Sequence, residues 1–172
     1  MKSPTFALAG NPNAGKSTIF NALTGGKQHV GNWPGKTVEK KSGQLHLKDW
    51  NIELIDLPGV YSLSSYSPEE EVTRDYILQE KPDLVINVVD ASNLERNLYL
   101  TVQIEETGVP MILVLNMTDV AHKNGVYVNL EKFSQQLGDI QVIELVANRG
   151  EGLEALKHAL LNHCRSLEAA AA

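Results

Sequence analysis

The chain has 172 residues, a length that suits one domain of ordinary size with a sizeable core. Hydrophobic residues make up 42% of it and charged residues 21%, as in a globular protein, and the net charge of −6 argues against a general nucleic-acid-binding surface, which would be basic. The single cysteine, Cys164, excludes an internal disulfide and fits a reducing compartment.

Apolar, strand-like runs alternate with amphipathic, helix-like runs along the chain. In chain order the predicted strands are 5–9, 38–47, 51–56, 83–90, 110–115 and 141–146, and the predicted helices are 16–24, 69–79, 95–107, 129–138 and 152–163. The nearly continuous apolar runs are typical of central parallel strands, and the alternating runs 38–47 and 51–56 indicate a hairpin. The pattern predicts an α/β fold with a doubly wound, mostly parallel six-stranded sheet, one antiparallel edge strand and helices on both faces.

The stretch 25–38 has no predicted element and holds four glycines, one proline and one tryptophan. A loop of this length in a compact domain is usually functional or disordered. The remaining pattern predicts one domain over residues 1–165. The end, 166–172, resembles a C-terminal tail, a truncated helix or an added remnant, and it is left out of the fold prediction.

Residues 10–17 fit the pattern G-x-x-x-x-G-K-[ST] at every fixed position and lie between a predicted strand and a predicted helix. Glycines let backbone N–H groups approach a polyphosphate closely. We expect Lys16 to reach the β- and γ-phosphates and the Ser17 hydroxyl to ligate Mg²⁺. The alternative is a glycine-rich turn that binds nothing. The predicted nucleotide contacts in this loop are Asn11, Asn13, Ala14, Gly15, Lys16, Ser17 and Thr18.

A second motif, Asp56-Leu57-Pro58-Gly59, follows the predicted strand 51–56. An aspartate at a strand end beside a phosphate loop can hold Mg²⁺ through a water molecule, and the Gly59 N–H can turn toward a γ-phosphate. Taken alone, this short pattern is weak, and an Asx turn would be its default interpretation. Its position one hairpin after the phosphate loop favours the functional interpretation.

A third motif, which contains Asn116, Met117 and Asp119, follows the predicted strand 110–115. The Asp119 carboxylate would accept hydrogen bonds from the N1–H and exocyclic amine of guanine. Adenine offers no donor at the equivalent edge atoms, so a carboxylate facing adenine would stay unpaired, which is unfavourable enough to impose base selectivity. The alternative is an N-cap of the next helix, for which aspartate is also suited.

Two weaker signals gain meaning from these motifs. Thr37 lies at the end of the long loop, where its hydroxyl could complete the Mg²⁺ shell and sense the γ-phosphate. The turn Val146-Ala147-Asn148 follows the last predicted strand, where a backbone N–H could reach the guanine O6. An ordinary turn between a strand and a helix is an equal interpretation of the second signal.

Together the motifs resemble the five G motifs of a TRAFAC-class P-loop GTPase, in the order 10–17, Thr37, 56–59, 116–119 and 146–148. The runs from His29 to Gly43 and from Val89 to Leu100, together with Met117, narrow the resemblance to the cytoplasmic G domain of the FeoB family of prokaryotic ferrous-iron transport proteins. The resemblance covers residues 4–165. It implies GTP binding and hydrolysis to GDP and phosphate with Mg²⁺, and loops 25–38 and 57–68 that act as switches.

The resemblance also implies how water is activated. Val60 stands where Ras-like GTPases have a glutamine, and a valine cannot orient water by hydrogen bonding. The backbone of Thr37 and Gly59 would then position the attacking water. Met117 would supply the apolar contact to the base that a lysine supplies in Ras-like proteins. Gly35, Lys36 and Thr37 complete the nucleotide-binding set, and the Mg²⁺ ligands would be Ser17, Thr37 and, through water, Asp56.

Asn13 resembles the asparagine by which potassium-activated GTPases hold K⁺ against the nucleotide phosphates. Such a K⁺ would stabilise the charge that develops on the β–γ bridge, in place of an arginine finger. Backbone carbonyls near Gly31 and Trp33 would be its other ligands. The alternatives are a turn role for Asn13 and a core or lid role for Trp33. The predicted catalytic residues are therefore Lys16, Asn13, Thr37 and Gly59.

By the same resemblance, the GTP cycle regulates Fe(II) passage through a transmembrane permease domain that this chain lacks, and a helical domain follows the G domain. The resemblance places the full-length protein at the bacterial inner membrane, with this domain on the cytoplasmic face. Because no apolar run approaches 18 residues and no signal peptide is evident, we expect this chain by itself to be soluble, with a homo-oligomer left open. The rival interpretations are an ATPase of the same fold, a binding module with negligible hydrolysis, and a ribosome- or tRNA-associated GTPase, which the acidic charge disfavours.

Overall fold

The computed structural model describes residues 3–172; residues 1 and 2 of the predicted domain 1–165 lie outside the described residues. Within 3–172, seven strands form one sheet: β1 (Thr5–Gly10), β2 (His29–Asn32), β3 (Glu39–Leu47), β4 (Trp50–Asp56), β5 (Leu84–Asp90), β6 (Met111–Asn116) and β7 (Gln141–Glu144). Over the same residues the α-helices are α1 (Lys16–Thr24), α2 (Pro68–Asp75), α3 (Leu94–Glu106), α4 (Thr118–Lys123), α5 (Leu130–Gln136) and α6 (Leu153–Ala171).

The strands lie in the order β2-β3-β4-β1-β5-β6-β7, with β4, β1, β5, β6 and β7 parallel to one another. β3 is antiparallel to both of its neighbours. The predicted α/β class with a doubly wound, mostly parallel sheet is confirmed. The prediction of six strands with an antiparallel edge strand was wrong in detail, because β2 adds a seventh strand outside β3 and forms the edge itself.

The strand β2 lies within the stretch 25–38, which was predicted to be a loop. All four of its residues are exposed, so it carries no apolar alternation that a sequence pattern could reveal. It exists because its backbone pairs with β3, with Gly31 opposite Lys40 and Val30 opposite Lys41. This pairing shortens the long loop and holds its first part against the sheet.

Three helical features differ from the predicted ones. Helix α4 was not predicted, since its six residues are too few to show a helical period. Helix α2 continues as a π-helical turn, Tyr76–Glu80, where the prediction had one helix. Helix α6 extends through the segment that was set aside as a tail, and Leu167 packs against the core there. No helix within residues 3–172 is long and apolar enough to span a bilayer.

The central strand β1 sends alternate side chains to the two faces of the sheet. Phe6 and Leu8 join the apolar cluster that α1 and α6 cover, whereas Ala7 and Ala9 join the cluster that α2 and α3 cover. All four are fully buried. The strand that leads into the phosphate loop is therefore fixed from both sides.

A buried polar chain ties α3 to the end of β1. The Thr101 hydroxyl donates to Asn87 Oδ1 at 2.6 Å, and Asn87 Nδ2 donates to the carbonyl oxygen of Ala9 at 3.4 Å. Asn87 and Thr101 are both completely buried. Since a buried polar group without a partner is costly, these two hydrogen bonds favour a single position of α3 along β1 and β5.

The carboxyl ends of the parallel strands meet at one edge of the sheet. β1 is central, with β4 on one side of it and β5 on the other, so the direction in which strands are added to the sheet reverses at β1. Where the strand order reverses in this way, a crevice is left beyond the strand ends, and open α/β sheets bind ligands there. Gly10, Asp56 and Asn116 end the strands that border this crevice.

Candidate functional site

The loop between β1 and α1 takes a backbone conformation that depends on glycine. Gly15 precedes the first helical residue, Lys16, and has a φ of 93°. A Cβ atom at Gly15 would lie 2.1 Å from Asn116 Nδ2, so a side chain is excluded by space as well as by conformation. Asn13 also has a left-handed φ, of 65°, which asparagine tolerates better than most residues.

A cavity of about 470 Å³ lies in front of this loop. The N-terminus of α1 opens into it, so unpaired helical N–H groups and the positive end of the helix dipole face the cavity. This is the usual arrangement for binding a phosphate. Of the predicted loop contacts, all but Ala14 line the cavity, together with Pro12, which was not predicted; the described lining residues are Asn11, Pro12, Asn13, Gly15, Lys16, Ser17, Thr18 and Gly59.

Lys16, which lines this cavity, forms an ion pair with Asp56. Its Nζ donates to Asp56 Oδ1, and the two side chains are only 10% and 8% exposed. The pair joins the first residue of α1 to the last residue of β4. Each charge therefore has a protein partner in this structure, which a phosphate and a cation would have to replace.

Residues 56–60 run along the phosphate loop. The Leu57 N–H donates to the Leu8 carbonyl oxygen at 3.0 Å, and the Val60 N–H donates to the Gly10 carbonyl oxygen at 3.1 Å. A Cβ atom on Gly59 would come within 3.2 Å of Pro12 Cα, so a side chain there would push the two loops apart by a few tenths of an ångström. The second predicted motif, including Pro58, therefore lies directly against the first.

The side chain of Asn116 bridges the phosphate loop and the turn after β7. Its Nδ2 donates to the Ala14 carbonyl oxygen at 2.9 Å, and its Oδ1 accepts from the Ala147 N–H at 3.0 Å. The residue is only 3% exposed. Sequence reasoning placed Asn116 in the base motif but missed this bridge. Because the Ala147 N–H is already bonded, a contact to guanine O6 would need another N–H of the turn or a shared bond.

Asp119 lies in the first turn of α4, after Met117, which has a left-handed φ of 60°. Its Oδ2 is 3.4 Å from Nη2 of Arg149, and the side chains are 19% and 53% exposed. Arg149 also lies 3.8 Å from Glu151 Oε1. Sequence reasoning missed Arg149. The available signal was a basic residue directly after the turn 146–148, which ends in Asn148.

Residues 33–38 form a turn that is packed on α2 and the π-helical turn after it. The Trp33 N–H donates to the Val38 carbonyl oxygen at 2.9 Å, and Lys36 Nζ lies 2.7 Å from Glu71 Oε2 on α2. The buried Trp33 indole contacts the Tyr76 ring edge-on, with 5.4 Å between centroids. In this conformation Trp33 is a core residue.

Three predicted ligands from the long loop lie outside the cavity in front of the phosphate loop. Thr37 is exposed, and neither Thr37, Gly31 nor Trp33 is among the described residues that line the 470 Å³ cavity. Gly31 is paired within β2, and Gly35 has the left-handed φ of a turn residue. Asn13 and Ser17 are thus assembled at the cavity, whereas the predicted ligands from the long loop are not.

The loop before α2 is organised by one carboxylate. Glu70 accepts hydrogen bonds from the Ser62 hydroxyl at 3.0 Å, the Ser64 hydroxyl at 2.9 Å and the Tyr66 N–H at 3.0 Å. Its own N–H donates to the Ser67 hydroxyl, which caps the helix. Burial by itself would raise the pKa of Glu70, but the hydrogen bonds from Ser64, Ser62, Tyr66 and Ser67 outweigh it and lower the pKa.

The same loop is attached to α3 at two points. The Leu63 N–H donates to Gln103 Oε1 at 2.8 Å, and the Arg96 guanidinium lies over the Tyr61 ring at 4.3 Å. The carbonyl oxygen of Arg96 faces Asn11 Nδ2 of the phosphate loop at 3.5 Å. Arg96 thus contacts both the phosphate loop, through its carbonyl oxygen, and the loop before α2, through its guanidinium.

Comparison with known proteins agrees with this geometry. Residues 4–160 match the family described as ferrous iron transport protein B. The Fe(2+) transporter FeoB of Salmonella typhimurium strain LT2 is 52% identical over 167 residues, which is 95% of this chain and 22% of that protein. The FeoB transporter of Escherichia coli K12 is 52% identical over 164 residues, or 93% and 21% of the two chains. The chain thus spans about a fifth of the length of these relatives.

Solved structures give the same result. The FeoB G domain of T. maritima has a TM-score of 0.86 at 45% identity, covering 95% of this chain and 99% of that one. The FeoB G-domain of Methanococcus jannaschii has a TM-score of 0.84 at 47% identity, covering 96% and 99%. A crystal structure of an S. thermophilus NFeoB mutant bound to mGDP has a TM-score of 0.84 at 50% identity, covering 90% and 58%.

The lowered pKa of Glu70 makes the order of residues 62–66 depend on pH. Since the folded protein favours the carboxylate, this contribution is present above the ordinary glutamate pKa and is lost as the pH falls through the lowered pKa. In an NMR titration, the Tyr66 amide shift should follow Glu70 with a midpoint below that of glutamate in an unstructured peptide. In the control Glu70→Gln this transition should disappear; a midpoint at or above the peptide value would contradict the assignment.

Proposed function

The chain belongs to the ferrous iron transport protein B family, and on that premise we propose that it is a switch domain that binds GTP and hydrolyses it to GDP and phosphate. The observation that carries this proposal is the assembly, at the carboxyl ends of the parallel strands, of the cavity in front of the phosphate loop, the Lys16–Asp56 pair and Asp119. Asn116 joins the phosphate side of this site to the base side. A site of this extent suits a nucleotide better than a free phosphate.

Asp119, the residue proposed to contact the base, favours guanine over adenine. Asp119 presents a carboxylate, which accepts hydrogen bonds and cannot donate them at neutral pH. Guanine has two donors on one edge, N1–H and the 2-amino group, whereas adenine has none at the matching atoms. The mGDP-bound S. thermophilus relative supports the same choice.

The donor set beside the phosphates suits Mg²⁺. The Ser17 hydroxyl lines the cavity, and the Asp56 carboxylate lies at the end of the adjacent strand. Both are hard oxygen ligands of the kind that Mg²⁺ prefers, with Asp56 acting through water. When bound, Mg²⁺ would neutralise charge on the β- and γ-phosphates. Lys16 would turn from Asp56 to the phosphates, so that Asp56 becomes free to face the cation's water.

The attacking water would be held by backbone groups. Val60 is buried and apolar, so its side chain cannot orient water. Gly59 lines the cavity, and its N–H is the donor that we propose for the water. Thr37 would join it only after the turn 33–38 leaves α2. This requirement is the reason to regard loops 25–38 and 57–68 as switches that the γ-phosphate orders.

A potassium ion would supply the remaining charge at the β–γ bridge. Asn13 lines the cavity and offers an amide oxygen there. The Trp33 carbonyl oxygen accepts from the Lys36 N–H at 3.0 Å in the observed turn, and Gly31 belongs to β2. The K⁺ shell would therefore be completed by the same loop movement that brings in Thr37. Ion binding and switch closure would be one event.

The role in a longer protein follows from the relatives. The FeoB proteins that this chain matches are Fe(2+) transporters about five times its length. We propose that the G domain, residues 1–165, regulates Fe(II) passage through a membrane permease domain, with a helical domain after it, at the cytoplasmic face of the bacterial inner membrane.

Phosphate release from GTP in KCl and in NaCl at equal ionic strength tests the proposed reaction. We expect hydrolysis to be at least about tenfold faster in KCl, because a positioned cation stabilises developing charge. Asn13→Ala should abolish this stimulation, whereas the exposed control Asn162→Ala should keep it. No hydrolysis in either salt would favour the binding module. Equal rates in the two salts would remove the K⁺ mechanism.

Titration with fluorescent nucleotides tests the base assignment. The parent should bind GDP and not ADP. Asp119→Asn should weaken GDP binding by about 5- to 150-fold, the effect of leaving one polar group unpaired, and should improve binding of XDP, whose O2 accepts from an amide. Equal binding of ADP and GDP by the parent would support the rival ATPase and contradict the assignment.

A further inference from the structure

We propose that Arg149 competes with the guanine base for Asp119 and thereby speeds nucleotide release. This inference rests on the proposed function and concerns the same site. In the structure, Arg149 Nη2 lies 3.4 Å from Asp119 Oδ2. Among the residues that the structure describes, Arg149 is the cation that pairs with this carboxylate. The carboxylate proposed to read the base therefore has a protein partner that the base would have to displace.

The backbone that carries Arg149 is fixed, so the side chain is the part that moves. The Val146 N–H donates to the Glu151 carbonyl oxygen at 3.0 Å and closes the turn, and the Arg149 N–H donates to the Val146 carbonyl oxygen at 3.0 Å. The Ala147 N–H is held by Asn116. The Arg149 side chain, in contrast, is 53% exposed and free to change partners.

Glu151 is a second ion-pair partner within reach of Arg149. Glu151 Oε1 is 3.8 Å from Arg149 Nη1, and the Glu151 side chain is exposed. When guanine approaches, its N1–H and 2-amino group require both oxygens of Asp119, one donor for each oxygen. The guanidinium can then turn toward Glu151 without losing all of its ion pairing. The arginine thus has two positions, one for the empty site and one for the occupied site.

The energetic balance sets the size of the effect. A partly exposed ion pair is weak, so it cannot keep guanine out. It nevertheless stabilises the empty site, because the base must break it to enter. As the base leaves, Arg149 can return to Asp119 while the guanine hydrogen bonds lengthen, and this lowers the barrier to release. The expected effect is a change in affinity of about 1.5- to 5-fold, mainly in the release rate.

Release of fluorescent GDP from the parent, Arg149→Gln and Arg165→Gln tests this role. Glutamine keeps much of the side-chain reach without the charge, and Arg165 is an exposed arginine on α6 that controls for net charge. Arg149→Gln should release GDP about 1.5- to 5-fold more slowly at low salt, and this difference should shrink at high salt as the ion pair is screened. Arg165→Gln should match the parent.

A second comparison requires that the effect pass through Asp119. In the Asp119→Asn background, with XDP as the ligand, adding Arg149→Gln should leave the release rate unchanged, because the ion pair no longer exists. A merely structural role of Arg149 would change release in both backgrounds.

Unchanged or faster GDP release from Arg149→Gln, with intact GDP binding by the parent, overturns this inference alone. Absence of guanine-nucleotide binding by the parent overturns the proposed function and this inference with it.

Discussion

The buried amide of Asn116 is the interaction on which the geometry of the whole site depends. The phosphate loop, the end of β6 and the turn after β7 come from distant parts of the chain, and one side chain with 3% exposure bonds to the first and the last of them. Its Nδ2 also occupies the space that a side chain at Gly15 would need. The two residues therefore depend on each other: the phosphate loop can approach the Asn116 amide closely only because Gly15 has no Cβ atom.

The charged side chains of the site form ion pairs with other residues of the protein. Lys16 meets Asp56, and Asp119 meets Arg149. Binding of a nucleotide is therefore an exchange of partners and not the filling of an uncompensated site. The nearly buried Lys16–Asp56 pair leaves neither of its charges isolated, which would be costly, whereas the partly exposed Asp119–Arg149 pair is weak. Both pairs reduce the net gain from binding, and in the proposed switch this would favour release of the product.

Much of this arrangement could be predicted from the sequence, because the strong signals are local. The phosphate loop, Asp56 and Asp119 each sit at a strand end, and parallel strand ends meet at one edge. What could not be predicted depends on contacts between distant segments. The exposed strand β2 is specified by pairing with β3 and has no pattern of its own. The bridge of Asn116 and the ion pair of Arg149 depend on side-chain directions that spacing does not reveal. Thr37 was assigned correctly to a loop, but the packing of that loop on α2 through Lys36 and Trp33 was invisible in the sequence.

The central claim is that Asn116 holds the phosphate and base sides of the site together before any nucleotide binds. The most direct test is the free energy of unfolding of nucleotide-free Asn116→Ala, measured by urea denaturation beside the exposed control Asn162→Ala. We expect a loss of about 1–3 kcal/mol for Asn116→Ala, because the partly buried Ala147 N–H and the buried Ala14 carbonyl lose their partner, and almost none for the control. An Asn116→Ala protein as stable as the parent would contradict it.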